Sequence, residues 1–185
     1  MDKKAFVYDY ILNSGILLLN QNSQYDSLME IQGDWDTIMT LIEKRKVYFS
    51  KVFYDMTTYI SDEMYPYFKF LKKDIKLGHN EEKIYNFLNQ YGGQDTELLK
   101  TVLGLDKKSF DTSINQMLKN MQVTVLDRGK TLNKQWSTYI WGTMEQWEQG
   151  ANISNKIISE EEAYNKIFGK LQSRLSEKKI SSMLK

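Results

Sequence analysis

A chain of 185 residues with 41% hydrophobic and 13% aromatic side chains has enough apolar surface for one sizeable domain, or two small ones sharing a core, and is not an intrinsically disordered polymer. Its 25 basic and 24 acidic residues leave a formal net charge of +1, so attraction to nucleic acid must come from a local patch rather than the whole molecule. No cysteine means no disulfide or thiol chemistry; the longest apolar run, residues 16–19, cannot span a bilayer, and without a basic-then-apolar leader cytoplasmic residence is the expectation.

In chain order, residues 5–12 predict a short helix and residues 16–19 a buried strand. Residues 25–31 are expected to be helical. The clearest periodicity is Trp35, Ile38, Met39 and Ile42, spaced i, i+3, i+4, i+7 directly after Asp34, a good N-cap. Residues 46–54, rich in Val, Tyr and Phe, predict a strand, with residues 57–60 its partner across a turn at Asp55 and Met56. Pro66, the only proline, opens a helix through Leu71 with Phe68 and Leu71 inward, because a first helical position needs no amide donor. Residues 72–80 (KKDIKLGHN) are polar, carry a glycine and divide the chain.

The second half is better specified. Ile84, Phe87 and Leu88 form the apolar stripe of a helix that stops at Gly92-Gly93. Asp95 caps a second helix carrying Leu98, Leu99 and Val102, which ends at Gly104. Asp106 caps a third, with Phe110, Ile114, Met117, Leu118 and Met121 inward. Residues 122–126 predict a strand, Arg128-Gly129-Lys130 a wing tip, and residues 135–141 the returning strand. Ser159 then caps a C-terminal helix over residues 160–175, in which Ala163, Ile167, Leu171 and Leu175 recur every four residues. The fold class is therefore α+β and helix-rich. An N-terminal α/β half (1–76) precedes a winged helix-turn-helix (80–149) and a C-terminal helical tail (150–185).

In that geometry the third helix enters a DNA groove and the hairpin lies along the backbone. Its outward positions are Lys107, Lys108, Asp111, Thr112, Asn115 and Lys119. The lysines suit phosphates, Asn115 suits an adenine edge, and Arg128 and Lys130 at the wing tip reach backbone or minor groove; Asp111 opposes them. The same residues also fit the solvated face of any small helical domain. Trp136, Trp141 and Trp147 are read as core and packing residues.

Residues 92–124 (GGQDTELLKTVLGLDKKSFDTSINQMLKNMQVT), followed by residues 136–147 (WSTYIWGTMEQW), resemble the closing winged helix of AlkZ-related proteins. That group is distantly similar to the winged-helix DNA glycosylases AlkZ and YcaQ. Residues 47–71 (VYFSKVFYDMTTYISDEMYPYFKFL) resemble the stretch preceding the winged helix in the same group, and residues 15–31 its start. The resemblance covers roughly residues 10–149 and implies a bacterial, cytoplasmic, DNA-associated protein of winged-helix architecture. The full glycosylases resemble tandem winged helices in a much longer chain and position water with Gln-x-Gln or Gln-x-Asp. Gln24-Tyr25-Asp26 matches the latter, within a polar run that also reads as a loop.

The favoured reading is non-catalytic DNA binding, in transcriptional control or accessory to DNA repair, with no cofactor and no membrane. A small glycosylase using Gln24 and Asp26 is the alternative. A protein-interaction scaffold, supported by the near-zero charge, is the third. The lone His79 lacks partners for a metal site, and Gly92-Gly93 is followed by no phosphate-loop pattern. The triplet Glu160-Glu161-Glu162 is explained by the helix start it occupies. The C-terminal helix packs back on the chain, serves as a homodimerisation arm, or offers a basic surface to DNA or membrane.

Overall fold

The computed structural model describes residues 2–72, 75–133, 136–151, 153 and 157–184. Helix α1 (Lys3–Ser14) begins at Asp2, whose carboxylate accepts from the Lys4 amide. Strand β1 (Ile16–Leu18) follows at once and is fully buried. Residues 25–31, expected as a helix, do not form one. The outer edge of β1 claims their backbone instead: the Leu18 amide donates to the Asp26 carbonyl at 3.1 Å and the Leu28 amide to the Leu18 carbonyl at 2.8 Å. Glu30 then takes the Ser27 amide and hydroxyl at 2.7 and 2.8 Å, locking a turn.

Asp34 caps α2 (Trp35–Glu43), accepting from the Thr37 amide; of the predicted stripe Ile38, Met39 and Ile42 are buried and Trp35 is half-buried. Lys3 and the Thr37 hydrogen bonds hold the Asp34 carboxyl down at about 2. Strands β2 (Val47–Phe53) and β3 (Met56–Ser61) make a hairpin. Its turn residues are Tyr54 and Asp55, at φ 46° and 66°, one position earlier than expected, so Met56 pairs with Phe53. Two successive positive φ values are what a tight hairpin turn demands. The antiparallel sheet has the order β1-β3-β2. Helix α3 (Tyr65–Leu71) begins one residue before Pro66, which sits in its first turn, and buries Phe68.

Of the dividing segment, Lys73 and Asp74 lie outside the described residues. Beyond it come α4 (His79–Tyr91), the two-residue β4 (Gln94–Asp95), α5 (Thr96–Leu103) and α6 (Lys107–Lys119). Gly92 at φ 80° and Gly104 at φ 63° supply the left-handed stops that L side chains resist. On α5 only Leu99 is buried; Leu98 and Val102 face solvent. Strands β5 (Val123–Thr131) and β6 (Ser137–Thr143) form an antiparallel hairpin, and β4 pairs with β6 to give the order β4-β6-β5.

This hairpin is longer than predicted. Arg128, Gly129 and Lys130 lie within β5, with Arg128 opposite Tyr139, and the tip is further out, beyond Thr131. The Asn133 side chain accepts from the Trp136 amide at 3.0 Å, and the Leu132 amide donates to the Trp136 carbonyl, so the chain reverses there. Gln135, taken as the start of the returning strand, lies outside the described residues.

The chain continues through α7 (Met144–Gly150), α8 (Glu160–Leu171) and α9 (Glu177–Leu184). Ser159 accepts from the Glu162 amide, as the cap pattern predicted. The expected single C-terminal helix is broken after Leu171, which lets Ile180, Met183 and Leu184 turn back into the core. The α8 stripe that a dimerisation arm would present packs within the chain, against α3 and α1. The result is a mixed, helix-rich α/β architecture, with nine helices and two small antiparallel sheets among the described residues. Among these residues no helix is long and apolar enough to cross a membrane.

Strand alternation places the first sheet between two cores. Leu17, Phe49 and Tyr59 point into one, with Leu88, Phe110 and Trp141; Ile16, Tyr48 and Ile60 point into the other, with Met121, Trp147 and Ile167. Strand β2 would be a bare edge, but Thr124 of β5 closes it. Its Oγ1 accepts from the Phe49 amide at 3.2 Å and donates to the Phe49 carbonyl at 2.8 Å, while the Tyr48 hydroxyl donates to the Met121 carbonyl at 2.8 Å. Thr124→Val keeps the volume and strands both Phe49 groups. It should destabilise by about 2–4 kcal/mol in a urea melt, whereas Thr124→Ser stays within about 1 kcal/mol.

Candidate functional site

Helix α6 is positioned by its own pattern. Asp106 accepts from the Ser109 amide at 2.9 Å, and Phe110, Ile114, Met117 and Leu118 are buried. The opposite face therefore lies outward: Lys107, Lys108, Asp111 and Thr112 are exposed, and Asn115 is half-buried. Lys107 sits 3.6 Å from Asp111. At the other end Lys119 is paired with Asp55 in the β2–β3 turn, so the first hairpin answers its charge. The open part of α6 is its N-terminal half.

Arg128 is the principal departure from expectation. It is not at a hairpin tip, and it is not free. Its Nε donates to Glu43 at 2.5 Å, one Nη to Asp36 at 2.8 Å and the other to Glu43 at 3.1 Å. Glu43 first, then Asp36, drive its pKa above the ordinary guanidinium value. The guanidinium thus ties β5 to α2. Lys130, two residues on, is exposed and makes no ion pair among the described residues.

Gln24 and Asp26 do come together. Spaced i, i+2 on a bent segment, they line one open, polar hollow of about 520 Å³, with Glu30 and Arg174. Between them the Tyr25 ring is buried, and its hydroxyl donates to the Ser14 carbonyl at 2.8 Å. Arg174 reaches Asp26 Oδ2 at 2.6 Å, the Tyr10 hydroxyl donates to the same oxygen, and Arg174 lies over the Tyr25 ring at 5.2 Å. Arg174 first, and then Tyr10, hold the Asp26 carboxyl below its usual range, so it is ionised at neutral pH. Its Oδ1 accepts no hydrogen bond among the described residues. Neither Tyr10 nor Arg174 was singled out for this site from the sequence; both come from elements remote in the chain, and no local spacing marks them.

Trp141 and Trp147 are buried, as expected, but Trp136 is not core. It is 43% exposed beside the hairpin reversal and packs its ring on Trp35 at 4.6 Å. His79 is exposed at the first position of α4. No group of three or more His, Cys, Asp or Glu among the described residues could hold a metal ion.

A family model described as AlkZ related matches residues 22–185, which takes in the Gln24–Asp26 hollow, α6, the long hairpin and both C-terminal helices. The chain belongs to the AlkZ-related family. The match begins later than the expected resemblance and runs on past it through the tail. No curated protein and no solved structure matches this AlkZ-related chain.

Removing the arginine tests its assigned role. Arg128→Ala leaves Glu43 without its bidentate partner and should destabilise by about 1–2 kcal/mol, a figure discounted for the partial exposure of the group. Lys130→Ala should change stability by less than about 0.5 kcal/mol in the same denaturant titration.

Proposed function

We propose that this AlkZ-related protein is a non-catalytic DNA-binding protein, in transcriptional control or accessory to DNA repair, that meets duplex DNA with the N-terminal half of α6. One observation carries the reading: the order α4, β4, α5, α6, β5, β6, with the two-residue β4 paired to the outgoing strand β6. We read that order as a winged helix, whose third helix is the usual groove reader and whose first turns contact base edges. Lys107 and Lys108 then neutralise phosphates, while Thr112 and Asn115 face base edges. Lys130 supplies a flanking phosphate contact from the hairpin. Lys119 and Arg128 drop out of the contact set because carboxylates already hold them.

Few free cations imply few released counterions. Binding to mixed-sequence duplex, followed by fluorescence anisotropy, should weaken with salt at a log–log slope of about −2 to −3. Replacing Lys107 and Lys108 together by alanine should reduce that slope by about 2. Absence of binding even at low salt would sink the proposal.

A second reading is favoured by the hollow. Gln24 and Asp26 share one polar surface, and the ionised Asp26 retains an oxygen free to accept a bond from water. A glutamine amide that orients water, beside a carboxylate that steadies positive charge on a sugar, fits base excision. On this reading the protein releases base from N-alkylated duplex and leaves abasic sites, with a rate that falls at least 100-fold in Gln24→Ala. Abasic-site formation equal to that of protein-free DNA removes it.

A further inference from the structure

A cleft of about 590 Å³ opens between the exit of β1, the start of α2 and the long hairpin, and it shares no lining residue with the Asp26 hollow or the outward face of α6. We propose that this cleft binds a neutral, planar heteroaromatic small molecule. The proposal stands apart from the DNA reading and does not depend on it.

Planarity follows from one wall. The Trp35 and Trp136 rings are 4.6 Å apart at 51°, and Tyr139 lies 5.6 Å from Trp35. The two indoles touch, so nothing is sandwiched between them; inclined to each other, they give the cleft an aromatic wall on one ring of which a flat ring system can stack. Met29, 72% exposed, and the buried Leu28 add soft apolar surface around the same space. Large apolar side chains left exposed around one concavity mark a binding site more often than an accident of folding. The volume falls within the roughly 300–1,000 Å³ of small-molecule pockets.

The heteroatom follows from Ser137. Ser137 lines the cleft, and its Oγ, buried beside it, has no hydrogen-bond partner among the described residues. Buried hydroxyls are almost always paired, so an orphan at the margin of a cleft is satisfied when a polar atom of whatever fills the cleft reaches it. Asn20 lines the same cleft and offers an amide that both donates and accepts.

Neutrality follows from the ions at the rim. Asp34 is 2.8 Å from Lys3, and Asp36 is 2.8 Å from Arg128, which Glu43 also holds. Among the described residues, each charged side chain lining the cleft is answered within the chain. A charged ligand would lose its hydration without finding a free counter-ion, and an uncharged one has no such loss.

The test uses three bicyclic probes of similar size: 1(2H)-isoquinolinone, a neutral lactam; N-methylquinolinium; and 2-naphthalenesulfonate. Binding is followed by tryptophan emission and by the indole N–H resonances of Trp35 and Trp136. The lactam should give saturable shifts of both resonances, with the two ions binding at least tenfold more weakly. Trp136→Ala should weaken the lactam at least tenfold and Ser137→Ala at least threefold, each with an unchanged circular dichroism spectrum. Should Trp136→Ala misfold, the exposed Met29→Ala serves in its place, with at least threefold weakening expected. The proposal fails if the lactam causes no saturable shift up to its solubility limit. It fails equally if the variants bind the lactam as well as the parent, or if either ion binds as tightly.

Discussion

The hydroxyl of Thr124 does more for this architecture than its size suggests. Strand β2 ends the first sheet, and an edge strand presents amides and carbonyls that must be paired or hydrated. By accepting from and donating to Phe49, Thr124 pairs that residue's edge groups from the second sheet, and the Tyr48 side-chain hydroxyl, from the sheet's face, donates to the Met121 carbonyl. The two sheets therefore share one buried, hydrogen-bonded seam, and apolar cores on both sides of the first sheet run across it. Helix α6 leads directly into this seam, so the same contact fixes where its open N-terminal half points.

Charge is disposed of with similar economy. A chain with nearly equal acids and bases could scatter them, yet here cations work as ties. Arg128 fastens the hairpin to α2, Lys119 fastens α6 to the first turn, and Arg174 fastens the C-terminal segment to Asp26. Solvent-facing pairs of this kind contribute little each, but a bidentate guanidinium also defines geometry. Of the cations on α6 and the long hairpin, Lys108 and Lys130 carry no ion pair among the described residues, and Lys107 is only loosely near Asp111.

Much of this was legible because the signals were local. Asp34, Asp95 and Asp106 cap the helices they precede, Gly92 and Gly104 end theirs, and the stripe from Phe110 to Met121 is buried as periodicity required. Most of the failures trace to a partner outside the local spacing. Residues 25–31 carry helical spacing, but the edge of β1 took their hydrogen bonds. Arg128 and Lys130 beside Gly129 read as a turn until the register with Tyr139 carried the strand past them. Trp136 looked like core by residue type, and only the reversal at Asn133 leaves it beside Trp35 in the open. At the Asp26 hollow the i, i+2 spacing was visible, but its guanidinium comes from the far end of the chain.

The break after α8 bears on how the protein is made. Ile180, Met183 and Leu184 pack with Ile16, Tyr48 and Phe53, which are synthesised far earlier. A nascent chain therefore carries that face of its first sheet incompletely covered, with Met121, Trp147 and Ile167 in place but not α9, until residue 184 has left the ribosome. During that interval Tyr48 and Phe53 offer a sticky, strand-edged surface of the kind that chaperones hold and aggregates recruit. Loss of the last few turns, through premature termination or proteolysis, would reopen that face in a molecule whose α6 and hairpin are otherwise intact.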